Sequence, residues 1–150
     1  MIKIISIGKK HDHFIAEGIR EFQKRLRKPF EVEWQLLPHF PVQEKAAIDE
    51  SARIIDNIKP DDFVILLDER GGMLSSPELS AKLQAQFNWS QQVVFVIGGA
   101  YGVNKQLIDR ADLVWSLSEL VFPHQLVRLI LIEQIYRAQS IAFGESYHHS

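Results

Sequence analysis

The last third of the chain, VVFVIGGAYGVNKQLIDRADLVWSLSELVFPHQLVRLILIEQIYRAQSIAF, leaves few folds open to it. One apolar run ends in Gly98-Gly99 and a second ends at Ser116-Leu117-Ser118. Pro123 and His124 then open a long helix that is apolar on nearly every side. A helix of that kind has to be buried. Strands that stop at glycine or serine leave backbone N–H and C=O groups bare at their carboxyl ends, where open α/β sheets bind ligands. The pattern predicts a small-molecule crevice roofed by a buried helix.

Upstream, strand and helix patterns alternate. Ile2 to Ile7 reads as a buried strand, and Asp12 caps a helix with Phe14, Ile15, Ile19, Phe22 and Leu26 inward. Phe30, Val32, Trp34 and Leu36 alternate with polar neighbours, as a half-exposed strand does. A helix over 44–58 should bury Ala47, Ile48, Ala52, Ile55 and Ile58. Strands follow at 63–67, 93–97 and 113–117, and a short helix at 104–111. Ser76-Pro77-Glu78 supplies a capping hydroxyl, a first-turn proline and an acid for another helix, and Gly144 stops the last one, 123–143. Repeated β-α units with apolar strands imply an α/β fold, a mainly parallel sheet with helices on both faces. No linker or repeat divides the 150 residues, so one domain over 1–150 is expected.

Composition removes several classes. There is no cysteine, which excludes disulfides and thiolate metal sites and suits a reducing compartment. The opening MIKIISIGKK has no cleavage-site pattern and reads as a strand. The stretch 125–143 is apolar enough to suggest a membrane span, but Arg128, Glu133, Gln134 and Arg137 interrupt it at a cost lipid would not repay. A cytoplasmic protein with no membrane partner is expected. Net charge is −2, yet residues 1–30 carry eight Lys/Arg against three Asp/Glu, a local +5 that leaves −7 elsewhere. A basic patch on an acidic body suits a specific RNA partner as well as a solvated helix face.

Three strand ends should converge: Leu67 to Gly72, Gly98 to Gly102, and Leu117 to Phe122. The glycine spacing is not that of a dinucleotide fingerprint, and no phosphate-loop lysine is present. His124 sits in the first turn of the last helix, where the dipole disfavours its protonation; it reads as a polar cap or as a site residue. Glu133 and Arg137 stand in the favourable order for a helical ion pair. Arg128 falls in an apolar stretch and needs an anionic partner or an aqueous pocket, which makes it a candidate for RNA phosphate. The tail Glu145-Ser146-Tyr147-His148-His149-Ser150 ends on an aromatic and two imidazoles, too few for a metal site. No metal is expected.

The block FVIGGAYG, then SLSELVFPHQLVRLILIEQIYRA and the terminal GESYHH, resembles the SPOUT-class methyltransferases. More narrowly it is similar to the bacterial family that methylates N3 of a pseudouridine in large-subunit ribosomal RNA. The resemblance covers the whole chain, with the specific motifs in the C-terminal part. It implies a deep trefoil knot there, against the ordinary winding rule. It also implies a homodimer with the active site at the interface and S-adenosylmethionine as methyl donor. Family donor-binding residues match Leu67, Gly98, Leu117, Ser118, Glu119, Leu120, Val121 and Phe122. Val121 stands where relatives often have threonine, and His149 where many carry Lys or Arg, which makes a fixed tail cation titratable.

On that resemblance, the acceptor imide nitrogen must lose a proton. His148 and Tyr147 are the candidate acceptors, the imidazole being the better base at neutral pH, with His124 third. Arg128 and Arg137 would hold phosphate or the nascent base anion. The target base would leave its stack to reach the donor, and Lys9, Lys10, Lys24, Arg25 and Arg27 would meet phosphates on the assembled ribosome. Two other readings remain: a knotted enzyme acting on transfer RNA, and a ribosome-associated binding module with no chemistry.

Overall fold

A computed structural model describes residues 1–149; Ser150, the end of the expected tail, lies outside the described residues. Five strands, β1 (Ile2–Ile7), β2 (Val32–Leu37), β3 (Phe63–Gly72), β4 (Val93–Ile97) and β5 (Leu113–Trp115), alternate with five helices among the described residues. The helices are α1 (His13–Gln23), α2 (Gln43–Asp56), α3 (Ser76–Asn88), α4 (Lys105–Arg110) and α5 (His124–Ala142). The strands form one sheet in the order β2-β1-β4-β3-β5, and every neighbouring pair is parallel.

The inner strands are apolar on both faces because both are covered. Ile4, Ile65 and Phe95 face a layer in which Ile15 of α1, Leu79 of α3 and Leu131 and Ile135 of α5 are buried. Ile5, Val64 and Val96 face the opposite layer, with Ile54 of α2 and Leu107 of α4. Each such aliphatic side chain stabilises the fold by roughly 1.5–3 kcal/mol through burial alone. The near-continuous apolarity of α5 follows from its seat against α1, α3 and the sheet.

Local expectations were met with some shifts. The α3 cap is Ser75 and not Ser76: its hydroxyl accepts from the Glu78 amide while the Glu78 carboxylate accepts from the Ser75 amide, a complete capping box. Ser76 instead donates its hydroxyl to Gln134 on α5. On α2 the inward face is turned from the expected one: Ala46, Glu50, Ser51 and Ile54 are buried, whereas Ile48 is 64% exposed. Two polar residues hold that face because the chain supplies their partners, Phe40 N–H for Glu50 and Asn104 N–H for Ser51. Phe14, expected inward, is 66% exposed.

The strand that departs most from expectation is β3, which runs five residues beyond Leu67. Both Leu67 and Gly72 pair with Trp115, so residues 68–71 bow out between two contacts to the same point on β5. Ser116 N–H closes the bow by donating to Gly72 C=O at 2.9 Å. Gly71 permits this: a methyl group there would overlap the Val114 backbone. Gly71→Ala should therefore cost about 2–3 kcal/mol through backbone displacement, lowering the thermal midpoint by roughly 4–12 °C in a calorimetric scan.

Candidate active site

At the carboxyl edge of the sheet, the ends of β3, β4 and β5 and the first turn of α5 enclose a cavity of about 440 Å³. That is inside the ordinary range for small-molecule sites, about 300–1,000 Å³. Leu67, Gly98, Leu117, Ser118, Leu120, Val121 and Phe122 all line it, as do Ile97, Trp115 and His124. The structure thus brings seven of the eight expected donor-site residues to one hollow. Glu119 is exposed and does not line it. The loop after β5 is held by its serines: Ser116 Oγ donates to Ser118 C=O at 2.9 Å, and Ser118 Oγ accepts from Leu120 N–H at 3.0 Å. Trp115 is 3% exposed, and its Nε1 has no partner among the described residues.

Arg128 lies elsewhere than its expected role requires. It is 0% exposed, the largest fully buried side chain among the described residues. Nε donates to Ser6 Oγ, Nη2 to the carbonyls of Ile7 and Gly8, and Nη1 to Lys10 C=O, with His11 Nδ1 3.2 Å away. A guanidinium so engaged has no donor to offer a phosphate. It satisfies the bare end of β1 and fastens α5 there, supported by Gln125, which accepts from Asp12 N–H and donates to Lys10 C=O. Near this point Glu50 is also buried, one oxygen accepting from Phe40 N–H and the other unpartnered against Gly99, where any side chain would collide with it.

The remaining candidates gather on the far half of α5. Arg137 donates from Nε and Nη2 to Glu133 Oε2 at 3.1 and 2.7 Å, and Tyr147 Oη donates to the same oxygen at 2.9 Å. Arg137 Nη1 lies 3.2 Å from His148 Nδ1, and its guanidinium stacks over Tyr147 at 4.7 Å. Partial burial and the hydrogen bond to the Glu133 carboxylate hold the Tyr147 hydroxyl above the usual phenol value. The same carboxylate raises Arg137. His124 and Arg137 are thirteen residues apart on one helix, about 20 Å along its axis. Within a single chain the cavity and the tail cluster do not meet.

The basic residues of the N-terminal part divide in the same way. Lys9 and Lys10 follow β1 at the cavity edge of the sheet, while Arg25 stacks on Tyr136 and Arg27 pairs with Glu145 at 3.0 Å beside the tail.

A family profile described as "Predicted SPOUT methyltransferase" matches residues 1–148. The chain belongs to the SPOUT methyltransferase family. Curated relatives named "Ribosomal RNA large subunit methyltransferase H" include one from Desulforamulus reducens, 40% identical over 98% of each chain. Another from Dictyoglomus thermophilum and a third from Geobacter metallireducens are each 40% identical over 99% of both chains. A solved structure described as "a probable methylase family protein from Haemophilus influenzae Rd KW20" shares the fold at TM-score 0.56 and 15% identity, covering 95% of this chain and 66% of that one.

The cavity of this SPOUT chain suits the S-adenosylmethionine that the family uses. Bare backbone around Gly98 and 117–122 offers partners to an adenine edge, and apolar Leu67, Ile97 and Phe122 give it a wall. Among the described residues no group of His, Asp and Glu could hold a metal, and no helix is long and apolar enough to cross a membrane. Residue patterning placed Asp68 and Arg70 within the converging strand end 67–72 but gave neither a role, and it did not mark Glu50. The first two belong to the bow of β3, and Glu50 lies on a helix face that apolar spacing does not mark.

Two outcomes follow from the α5 anchor. Arg128→Met would leave the carbonyls of Ile7, Gly8 and Lys10 without that donor, a loss of about 3 kcal/mol or more in denaturant unfolding. His11 is held below the usual imidazole value by burial and then by the Arg128 charge, and His124 by the same two causes in the same order. Both are neutral when folded and gain protons on unfolding, so their stabilisation is complete above about pH 6.5 and is lost as pH falls below it. Urea midpoints should be lower at about pH 5.5 than at about pH 7.5, and His11→Gln should narrow that difference.

Proposed function

We propose that the chain transfers the methyl group of S-adenosylmethionine to N3 of a pseudouridine in large-subunit ribosomal RNA. It would act on assembled ribosomes in the cytoplasm as a homodimer of single-domain chains. The observation that carries this reading is the cavity formed where Leu67, Gly98 and 117–122 converge. The names of its relatives and the separation of cavity from tail support the rest. A C-terminal trefoil knot is part of the proposal. In its favour, the chain leaves β5 at one edge of the sheet and returns across the strand ends to fasten α5 to β1.

In the proposed site, the tail of one chain closes the cavity of its partner. Leu120 and Val121, exposed apolar residues that line the cavity, suit a subunit contact. Arg137, released from His148 on meeting the substrate, holds the developing imide anion or a neighbouring phosphate. His148 then takes the N3 proton on Nδ1, the nitrogen that Arg137 otherwise occupies. The N3 lone pair displaces the thioether from the methyl carbon, so the sulfonium becomes neutral. Tyr147, whose hydroxyl is held protonated, orients Glu133 and Arg137 instead of accepting the proton. Arg128 and His124 act from beneath, setting the first turn of α5 against the cavity. Lys9 and Lys10 of one chain and Arg25 of the other would flank the joint site and meet phosphate.

Mass spectrometry of ribosomal RNA from a strain lacking the protein should lose one methyl mark on a pseudouridine, restored by purified protein and donor. A mark unchanged by the deletion would refute the assignment. The shared site has its own test in dimers mixed from His148→Ala and Gly98→Val chains, each inactive alone. A site built from two subunits predicts recovery to about one quarter of the wild-type rate, since half the dimers carry one intact site. A site within one chain predicts none.

A further inference from the structure

Apart from Tyr101, Ser116, Ser118 and His124 the walls of the donor cavity are apolar or backbone, but one stretch is charged. Among the described lining residues the Asp, Glu, Lys and Arg side chains are Asp68, Glu69 and Arg70, all on the bow of β3. Arg70 donates to Asp68 three times: Nε and the backbone N–H to Oδ1 at 2.8 and 2.9 Å, and Nη2 to Oδ2 at 2.8 Å. The Asp68 side chain is 13% exposed and that of Arg70 60%. The bow is rigid at its base, with Gly71 pressed on the β5 backbone and Gly72 bonded to Ser116, so these charges stand at a fixed place on the cavity rim.

Resting on the reading that this cavity takes S-adenosylmethionine, we propose that Asp68 and Arg70 clamp the amino-acid end of the donor. Asp68 receives the α-ammonium and Arg70 the α-carboxylate. A carboxylate offers about four acceptor positions, and Arg70 uses three of Asp68's, which leaves room for an ammonium N–H. An ion pair between near neighbours, one of them largely exposed, is weak. The donor's own zwitterion replaces it without leaving either partner bare. Sign supports the match: Asp68, Glu69 and Arg70 sum to −1. The donor, with sulfonium, ammonium and carboxylate, carries +1. Loss of the sulfonium on transfer leaves a product of zero net charge, which this rim attracts less. The clamp therefore selects the complete donor over nucleosides that lack its amino-acid end, and favours donor over spent product.

Calorimetric titration of the intact wild-type protein and of two variants separates the contributions. The ligands are S-adenosylmethionine, its decarboxylated form, and 5′-methylthioadenosine, which lacks the amino-acid end. Asp68→Asn should weaken the first two about tenfold and leave the third within about twofold. Arg70→Gln should weaken S-adenosylmethionine alone, by about threefold given its exposure. Equal weakening of all three ligands, or no change in any, overturns the clamp while leaving the donor site in place. Failure of the wild-type protein to bind S-adenosylmethionine overturns the donor reading and the clamp together.

Discussion

A single buried guanidinium joins the two ends of this molecule. Arg128, near the start of the last helix, gives its donors to Ser6, Ile7, Gly8 and Lys10 at the end of the first strand. Burying a charge is costly unless every donor finds an acceptor. The carboxyl end of a parallel strand offers such acceptors, because its carbonyls have run out of neighbours. The demands of a strand end and of a buried cation cancel each other. As a result α5 starts over the middle of the sheet, and the loop 116–123 must cross the ends of β3 and β4 to reach it. The cavity is the space beneath that crossing.

Charge is distributed around this frame with some economy. Among the described residues that line the cavity, the Asp, Glu, Lys and Arg side chains all lie on the bow of β3, which brings Asp68, Glu69 and Arg70 to the rim. The cations that suit RNA lie outside it, in one group after β1 and another beside the tail. Arg137 is committed to Glu133 and placed against His148, so the proton chemistry of the tail is tied to whatever competes for that guanidinium. Tyr147 completes the arrangement by donating to the same carboxylate and meeting Tyr136 edge to face. Such a cluster is ordered before substrate arrives, which lowers the entropic cost of alignment.

Much of the fold was legible because apolar runs and their punctuation report local geometry. Strands β1 and β4, the Gly144 stop and the Glu133–Arg137 pair stand where spacing placed them. The misses share one cause. On α2, apolar spacing favoured Ile48, whereas the buried face carries Glu50 and Ser51, whose partners come from the loop just before the helix and from one 53 residues further on. Arg128 was read as reaching for an external anion because its internal acceptors lie more than a hundred residues away in sequence. Phe14 satisfies the helical pattern yet is exposed, since the pattern records amphipathicity and not which neighbour covers it.

Sequence alone determined the alternation of elements, the parallel sheet and the strand ends at which a ligand could sit, since these follow from periodicity and from where glycine and serine interrupt it. The resemblance of the C-terminal motifs added the chemistry. Only the tertiary structure decided that β3 bows out against β5, that Arg128 is an internal fastening, and that cavity and tail stand about 20 Å apart along α5. Those outcomes depend on which polar groups find partners across long separations, and hydrogen bonds between distant segments leave no period in a chain.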